Sequence, residues 1–145
     1  MSILKSIAIK TKPRAAMQER DFAEITVEKG ISGDFRGSQA GRQITILAQS
    51  AWQNTCDTIG TDLPWITRRA NLLVDEIYFG EGDVGRTIRI GEVSLEITQE
   101  TNPCSLMDQQ HQGLKKALFT EWRGGVCCNV ITPGSIRVGD QVEID

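Results

Sequence analysis

The 145-residue chain predicts a mostly β, barrel-like domain, predominantly antiparallel, with two short helices. Three observations predict it. Short apolar-polar alternating runs recur along the chain and are punctuated by glycine and proline, as in barrels and sandwiches. Strands do not alternate regularly with helices, which argues against a doubly wound parallel sheet. The length suits a single domain, residues 1–145, with a sizeable core, and the 39% apolar and 24% charged residues are those of an ordinary soluble protein.

The elements follow in order. Residues 3–10 read as a strand, with Ile3, Ile7 and Ile9 on one face and Leu4 and Ala8 on the other, an impure alternation that suits cover on both sides. Residues 11–16 form a basic turn around Pro13. Residues 22–27 read as a second strand, followed by the glycine-rich segment 30–37. Residues 42–47 read as a third, with Ile44 and Ile46 on one face. A helix is expected over 50–59, with Ser50 as N-cap and Gly60 as terminator; Trp52, Cys56 and Ile59 share one face, so Cys56 reads as core. Residues 71–74 and 87–90 are further strands. Gly91-Glu92 turns the chain into a strand over 93–98. A second helix is expected over 105–122. Residues 126–131, 136–138 and 141–144 close the domain around turns at Pro133-Gly134 and Gly139-Asp140.

Composition narrows function. A net charge of -3 gives no global attraction to nucleic acid or to an anionic membrane, and no apolar run reaches the length of a membrane helix. Residues 1–5 lack the features of a signal peptide, so a cytoplasmic protein is expected, with its four cysteines as free thiols.

Cys104 is the leading candidate for chemistry. It lies where a strand hands over to a helix, behind the turn signal Asn102-Pro103. A thiol at a helix start faces unpaired N–H groups and the positive end of the dipole, which favour the thiolate, the nucleophile and soft-metal ligand. The alternative is a small buried residue plugging a loop. Cys127-Cys128 should project to opposite faces of a strand and cannot converge on one ligand. The sole histidine, His111, lies in a polar stretch seven residues from Cys104, too far along one continuous helix to pair with it without a break at Gly113 or nearby. No protein-only zinc spacing is present.

Three further sites could serve anions or structure. The segment 30–37 is no phosphate loop, yet it can offer backbone N–H groups and Arg36 to an anion; it reads equally as a barrel corner. Arg68-Arg69 at a strand mouth can grip a phosphate or carboxylate, or be a solvated pair. Arg123 can cap the C-terminus of the preceding helix.

Taken together, five segments in order resemble the MOSC domain, the C-terminal module of molybdenum cofactor sulfurases that also occurs as small free-standing proteins. They are Gly30-Ile31-Ser32-Gly33-Asp34, Arg69-Ala70-Asn71 with its apolar strand, the paired strands over 85–98, Pro103-Cys104, and the closing strands over 124–142. Many members carry a histidine shortly after the Gly-Asp of the first segment; this chain has Phe35-Arg36-Gly37 there. The resemblance implies a β-barrel and sulfur chemistry linked to molybdenum cofactor. Cys104 would carry sulfur as a persulfide or ligate molybdenum. Arg69, Asn71 and Arg36 would hold the phosphate and pterin of molybdopterin. Partners would be a cysteine desulfurase, since the chain has no pyridoxal-phosphate domain, or a molybdoenzyme. A molybdenum-dependent reductase of N-hydroxylated compounds and a non-catalytic cofactor-binding module are the alternatives.

Overall fold

In the computed structural model, which describes Met1–Asp145, eleven strands and three short α-helices follow the chain. The strands are β1 (Ser2–Ile9), β2 (Gln18–Arg20), β3 (Phe22–Thr26), β4 (Gly30–Ile31), β5 (Ile44–Ala48), β6 (Leu72–Val74), β7 (Thr87–Ile90), β8 (Val93–Glu100), β9 (Val126–Thr132), β10 (Gly134–Arg137) and β11 (Gln141–Ile144). The helices are α1 (Gln49–Ile59), α2 (Ser105–Gln110) and α3 (Leu114–Phe119).

The main sheet runs β11-β7-β8-β9-β5-β6-β1-β2, and β11 also pairs with β1. Since β2 pairs only with β1, the other seven strands close into a barrel. Every ladder is antiparallel except β5–β6. Closure joins the two ends of the chain, Ser2 opposite Val142 and Ile3 opposite Gln141. A second sheet, β10-β3-β4, extends the interior with Ala23, Ile25, Ile31 and Ile136.

The period of two in the sequence decides what faces in. On β5, β6 and β9, the residues Ile44, Ile46, Leu72, Val74, Val126 and Cys128 fill the barrel. Their neighbours Leu47 and Leu73 point outward, where they are buried against Trp52, Cys56, Met107, Leu114 and Leu118 of the helices. Each fully buried aliphatic side chain contributes about 1.5–3 kcal/mol. A helical layer is thereby pinned to one side of the barrel.

Two local expectations are corrected. Ser50 does not cap α1: β5 runs directly into the helix, the cap position is Ala48, and the Ser50 hydroxyl is buried without a partner. The stretch 105–122 is not one helix. Gly113, at φ 87°, separates α2 from α3, and a 3-10 turn over Thr120–Trp122 follows. Gly60 does end α1, with φ 72° and Thr61 N–H donating to the Cys56 carbonyl. Arg123 reaches the Ala117 carbonyl of α3 and the Thr58 hydroxyl of α1, the structural role expected of it.

Candidate functional site

Thr101 carries the chain from β8 towards α2. Its N–H donates to the Gly125 carbonyl, its carbonyl accepts from Arg68 Nη2 at 2.9 Å, and its hydroxyl lies 3.3 Å from Cys127 Sγ. Pro103 then sets Cys104 at the cap position of α2 in extended geometry, with φ -117° and ψ 177°. The Cys104 side chain makes no capping bond and is exposed, whereas Cys56, Cys127 and Cys128 are buried. Burial pushes the Cys128 thiol up, and Cys127 adds to the effect. The two alternatives for Cys104 are thus separated: it plugs no loop.

Cys104 borders a pocket that collects Lys10 from the end of β1, Arg36 from the glycine-rich loop, Arg42 before β5, and Arg68 and Arg69 before β6. Five cations therefore face one carboxylate, Asp34. Asp34 is already engaged: its two oxygens accept the backbone N–H groups of Lys10 and Arg36. None of the five cations joins an ion pair, because the molecule's salt bridges lie at Glu76, Asp83, Glu143 and Asp145. On a chain of net charge -3, this is a local concentration of positive charge.

The field shows in the titration of its members. Burial lowers the Lys10 pKa, and Arg36, Arg69 and Arg42 lower it further against the opposing pull of Asp34. Burial takes Arg68 down to about 10, with Arg42 acting in the same sense and Cys104 and Cys127 in the opposite one. Arg68 is only 7% exposed, and its partners are the neutral Gly124 and Thr101 carbonyls and the Met107 sulfur. A guanidinium buried without a carboxylate is costly unless an anion joins it. The buried Nε atoms of Arg42 and Arg69 have no partner at all.

The sequence-predicted residues converge unequally. Cys104, Arg69, Asn71 and Arg36 all line this pocket. Arg36 also donates to Gln39, and Arg69 Nη2 donates to the Ala15 carbonyl at 2.5 Å. Asn71 is spent differently: its oxygen accepts from Thr45 N–H and Thr45 Oγ1, and its Nδ2 donates to the Ala8 carbonyl. It braces β1 against β5 from the pocket wall. His111 ends α2, contacts the Gln112 carbonyl and lines no part of the pocket. Lys10 and Arg42 were missed as site residues, and Arg68 was singled out only as half of the Arg68-Arg69 pair. Only the Arg68-Arg69 pair had a local signal; the other two arrive by tertiary folding.

The glycine-rich loop is held in place by Gln43, whose Nε2 donates to the Val27 and Gly37 carbonyls while its Oε1 accepts from Val130 N–H. A Cβ at Gly37 would fall 1.6 Å from the Lys29 carbonyl oxygen, so only glycine fits there.

The MOSC domain family model matches residues 16–143. No curated protein matches the chain. Among solved structures, the YuaD protein from Bacillus subtilis is similar at TM-score 0.78 and 20% identity, covering 99% of this chain and 96% of its own. YiiM from Geobacillus stearothermophilus is similar at TM-score 0.78 and 17% identity, covering 100% of this chain and 75% of its own. YiiM from Escherichia coli is similar at TM-score 0.71 and 18% identity, with coverage of 99% and 69%. These likenesses establish a common fold.

Proposed function

The chain belongs to the MOSC domain family, and from that premise we propose that it binds a pterin-type molybdenum cofactor, with the phosphate among the pocket cations and Cys104 beside the reacting end. One observation carries the reading: an exposed thiol at the mouth of a pocket of five cations that lack ion-pair partners.

The residues present fit such a group. The unpartnered Nε atoms of Arg42 and Arg69 suit phosphate oxygens, for which guanidinium offers paired donors. Arg36 and Lys10 add charge, and Arg68 balances anionic sulfur or phosphate from the pocket wall. Cys104 is a soft donor suited to molybdenum. No three His, Cys, Asp or Glu side chains cluster to cage a bare metal ion, so a metal would be held through its organic ligand. When bound, the cofactor supplies oxygen-atom and electron transfer; the chain's own residues bind, neutralise and orient it. Reduction of N-hydroxylated compounds would be activity of that loaded form and would need a separate electron donor.

A second reading, a sulfur carrier, is favoured by the exposure of Cys104 to a protein partner. The Cys104 thiolate would attack the terminal sulfur of a desulfurase persulfide. A new S–S bond forms, the donor's S–S bond breaks, and the donor leaves as a thiolate. A molybdoenzyme would be the acceptor.

The test is one preparation from a cofactor-producing host, analysed for molybdenum, sulfane sulfur and intact mass beside Cys104→Ser. Molybdenum in the native protein and none in the variant supports the holder. One added sulfur on Cys104 after incubation with a desulfurase, without metal, supports the carrier. Neither on either protein leaves a non-catalytic module.

A further inference from the structure

No bond holds the Cys104 side chain: it is exposed and caps nothing, so the backbone on either side decides where the thiol stands. One residue grips that backbone. Arg68, the last of the 3-10 turn Trp65–Arg68, donates from Nη2 to the Thr101 carbonyl at 2.9 Å, three residues before Cys104. From Nη1 it donates to the Met107 sulfur at 3.8 Å, three residues after Cys104. Its Nε donates to the Gly124 carbonyl at 3.2 Å, ahead of β9. Thr101 and Met107 are both buried, so each is a fixed anchor. The second anchor reaches Cys104 directly, because Met107 N–H donates to the Cys104 carbonyl at 3.0 Å in the first turn of α2. Gly124 lets the grip close: a Cβ there would lie 2.5 Å from the Thr101 carbonyl oxygen and 3.1 Å from Arg68 Nη2.

A buried guanidinium with only neutral partners is a poor source of stability, since an apolar side chain of similar volume would avoid the cost of burying charge. What it offers is a flat fork, with donors on three nitrogens fixed relative to one another. An ammonium carries all its donors on one atom and cannot span three segments. We infer that Arg68 is a positioning residue for Cys104: its fork holds the turn before the cysteine, the helix after it and the approach to β9 in one frame, and so stands the thiol at the rim of the pocket cations. It is as the proposed reacting group that Cys104 needs this frame, and to that extent the role of Arg68 rests on the proposed function.

Alkylation of Cys104 in the full chain tests this, followed by peptide mass mapping with iodoacetate and with iodoacetamide at one pH. Both reagents consume the thiolate, so the ratio of their rate constants is independent of the amount of thiolate and reads the electric field at the sulfur. Arg68→Lys keeps the charge and loses the fork; Arg68→Met loses both. The ratio should fall at least about fivefold in both variants, with Cys56, Cys127 and Cys128 as slow to label as in the native protein. A native ratio in either variant overturns the proposal, and in Arg68→Lys it would make Arg68 a charge only. A fall accompanied by labelling of the three buried cysteines marks general loosening and overturns it too. If neither Arg68 variant folds, Met107→Leu decides, because it conserves core volume and removes only the sulfur anchor: the ratio should fall about twofold, and a native ratio overturns the proposal. Molybdenum and sulfane sulfur on the native protein are read separately. Their absence removes the holder and carrier readings and leaves the positioning result intact, whereas an unchanged ratio leaves those readings standing.

Discussion

Asn71 lines the pocket, yet its carboxamide joins Thr45 of β5 to Ala8 of β1. Asn71→Ala would strand buried backbone groups on both strands and should destabilise the fold by on the order of 3 kcal/mol in urea denaturation. Weakened ligand binding at unchanged stability would instead make Asn71 a direct contact. Cys104 should behave oppositely. Its side chain is exposed and uncommitted, so Cys104→Ser should alter stability by less than about 0.5 kcal/mol while abolishing molybdenum or sulfane-sulfur retention, read on the same preparation. Peptide mass mapping after native alkylation should find Cys104 labelled first; earlier labelling of Cys56 would contradict its burial at 3% exposure. Arg69→Ala should weaken phosphate binding by about 1.5–3 kcal/mol through the loss of a charge-assisted contact. The exposed thiol was legible because Asn102-Pro103 announces a turn ahead of a helix. The task of Asn71 was not, since an amide's partners are decided by which strands meet.

At the level of elements, glycines with positive φ divide into two kinds. At Gly60, which ends α1 with φ 72°, an added Cβ meets nothing within 4 Å. Gly60→Ala should therefore cost only the left-handed backbone strain, about 1–2 kcal/mol. At Gly125, leading into β9 with φ 93°, the Cβ would lie 2.2 Å from the Ile46 carbonyl oxygen on β5. Gly125→Ala should cost considerably more, or prevent folding, because backbone on both sides must move. Urea midpoints of the two variants measure the difference, and equal midpoints would refute it. Strand positions and the stop at Gly60 were readable from period and punctuation. The break at Gly113 was weighed only as what a Cys104–His111 pair would require, and one helix was expected because 105–122 carries helix-forming residues on both sides of it. The caps also escaped: β5 passes into α1 without the polar turn that usually precedes a helix. β2, which is polar and fully exposed, offered no alternation to read.

For the molecule as a whole, the uncompensated pocket makes stability depend on anions. Phosphate, compared with chloride at equal ionic strength, should raise the melting temperature. The gain at about 100 times the dissociation constant is roughly 2.7 kcal/mol. Arg42→Gln should reduce that gain. The alkaline side carries a second signature. Lys10 has a folded pKa below its usual 10.5, so in that window the unfolded chain holds more protons and folding becomes more favourable as pH rises. Lys10→Met removes the penalised charge; it should be the more stable protein near neutrality, with the gap closing as pH approaches 10.5. A gap that widens with pH would reverse the sign. The barrel class and its antiparallel character were visible in short, turn-punctuated runs. The resemblance put Arg36 and Arg69 on one ligand, but the arrival of Lys10 and Arg42 beside the Arg68-Arg69 pair was not visible, because they lie on separate stretches of chain with no local pattern and only the folded barrel unites them.

That closure has a consequence for the chain during its synthesis. β1 is made well before the β11 residues that seal its edge: Ser2 pairs with Val142, 140 positions later, and Ile3 with Gln141, 138 positions later. Until β11 emerges, one edge of β1 stays open at a ribosome that adds about 5–20 residues per second, so the nascent barrel exposes an unpaired strand for several seconds. Charged Lys5 on β1 and the exposed, polar β2 beside it are the features that discourage a neighbouring nascent chain from taking the vacant place.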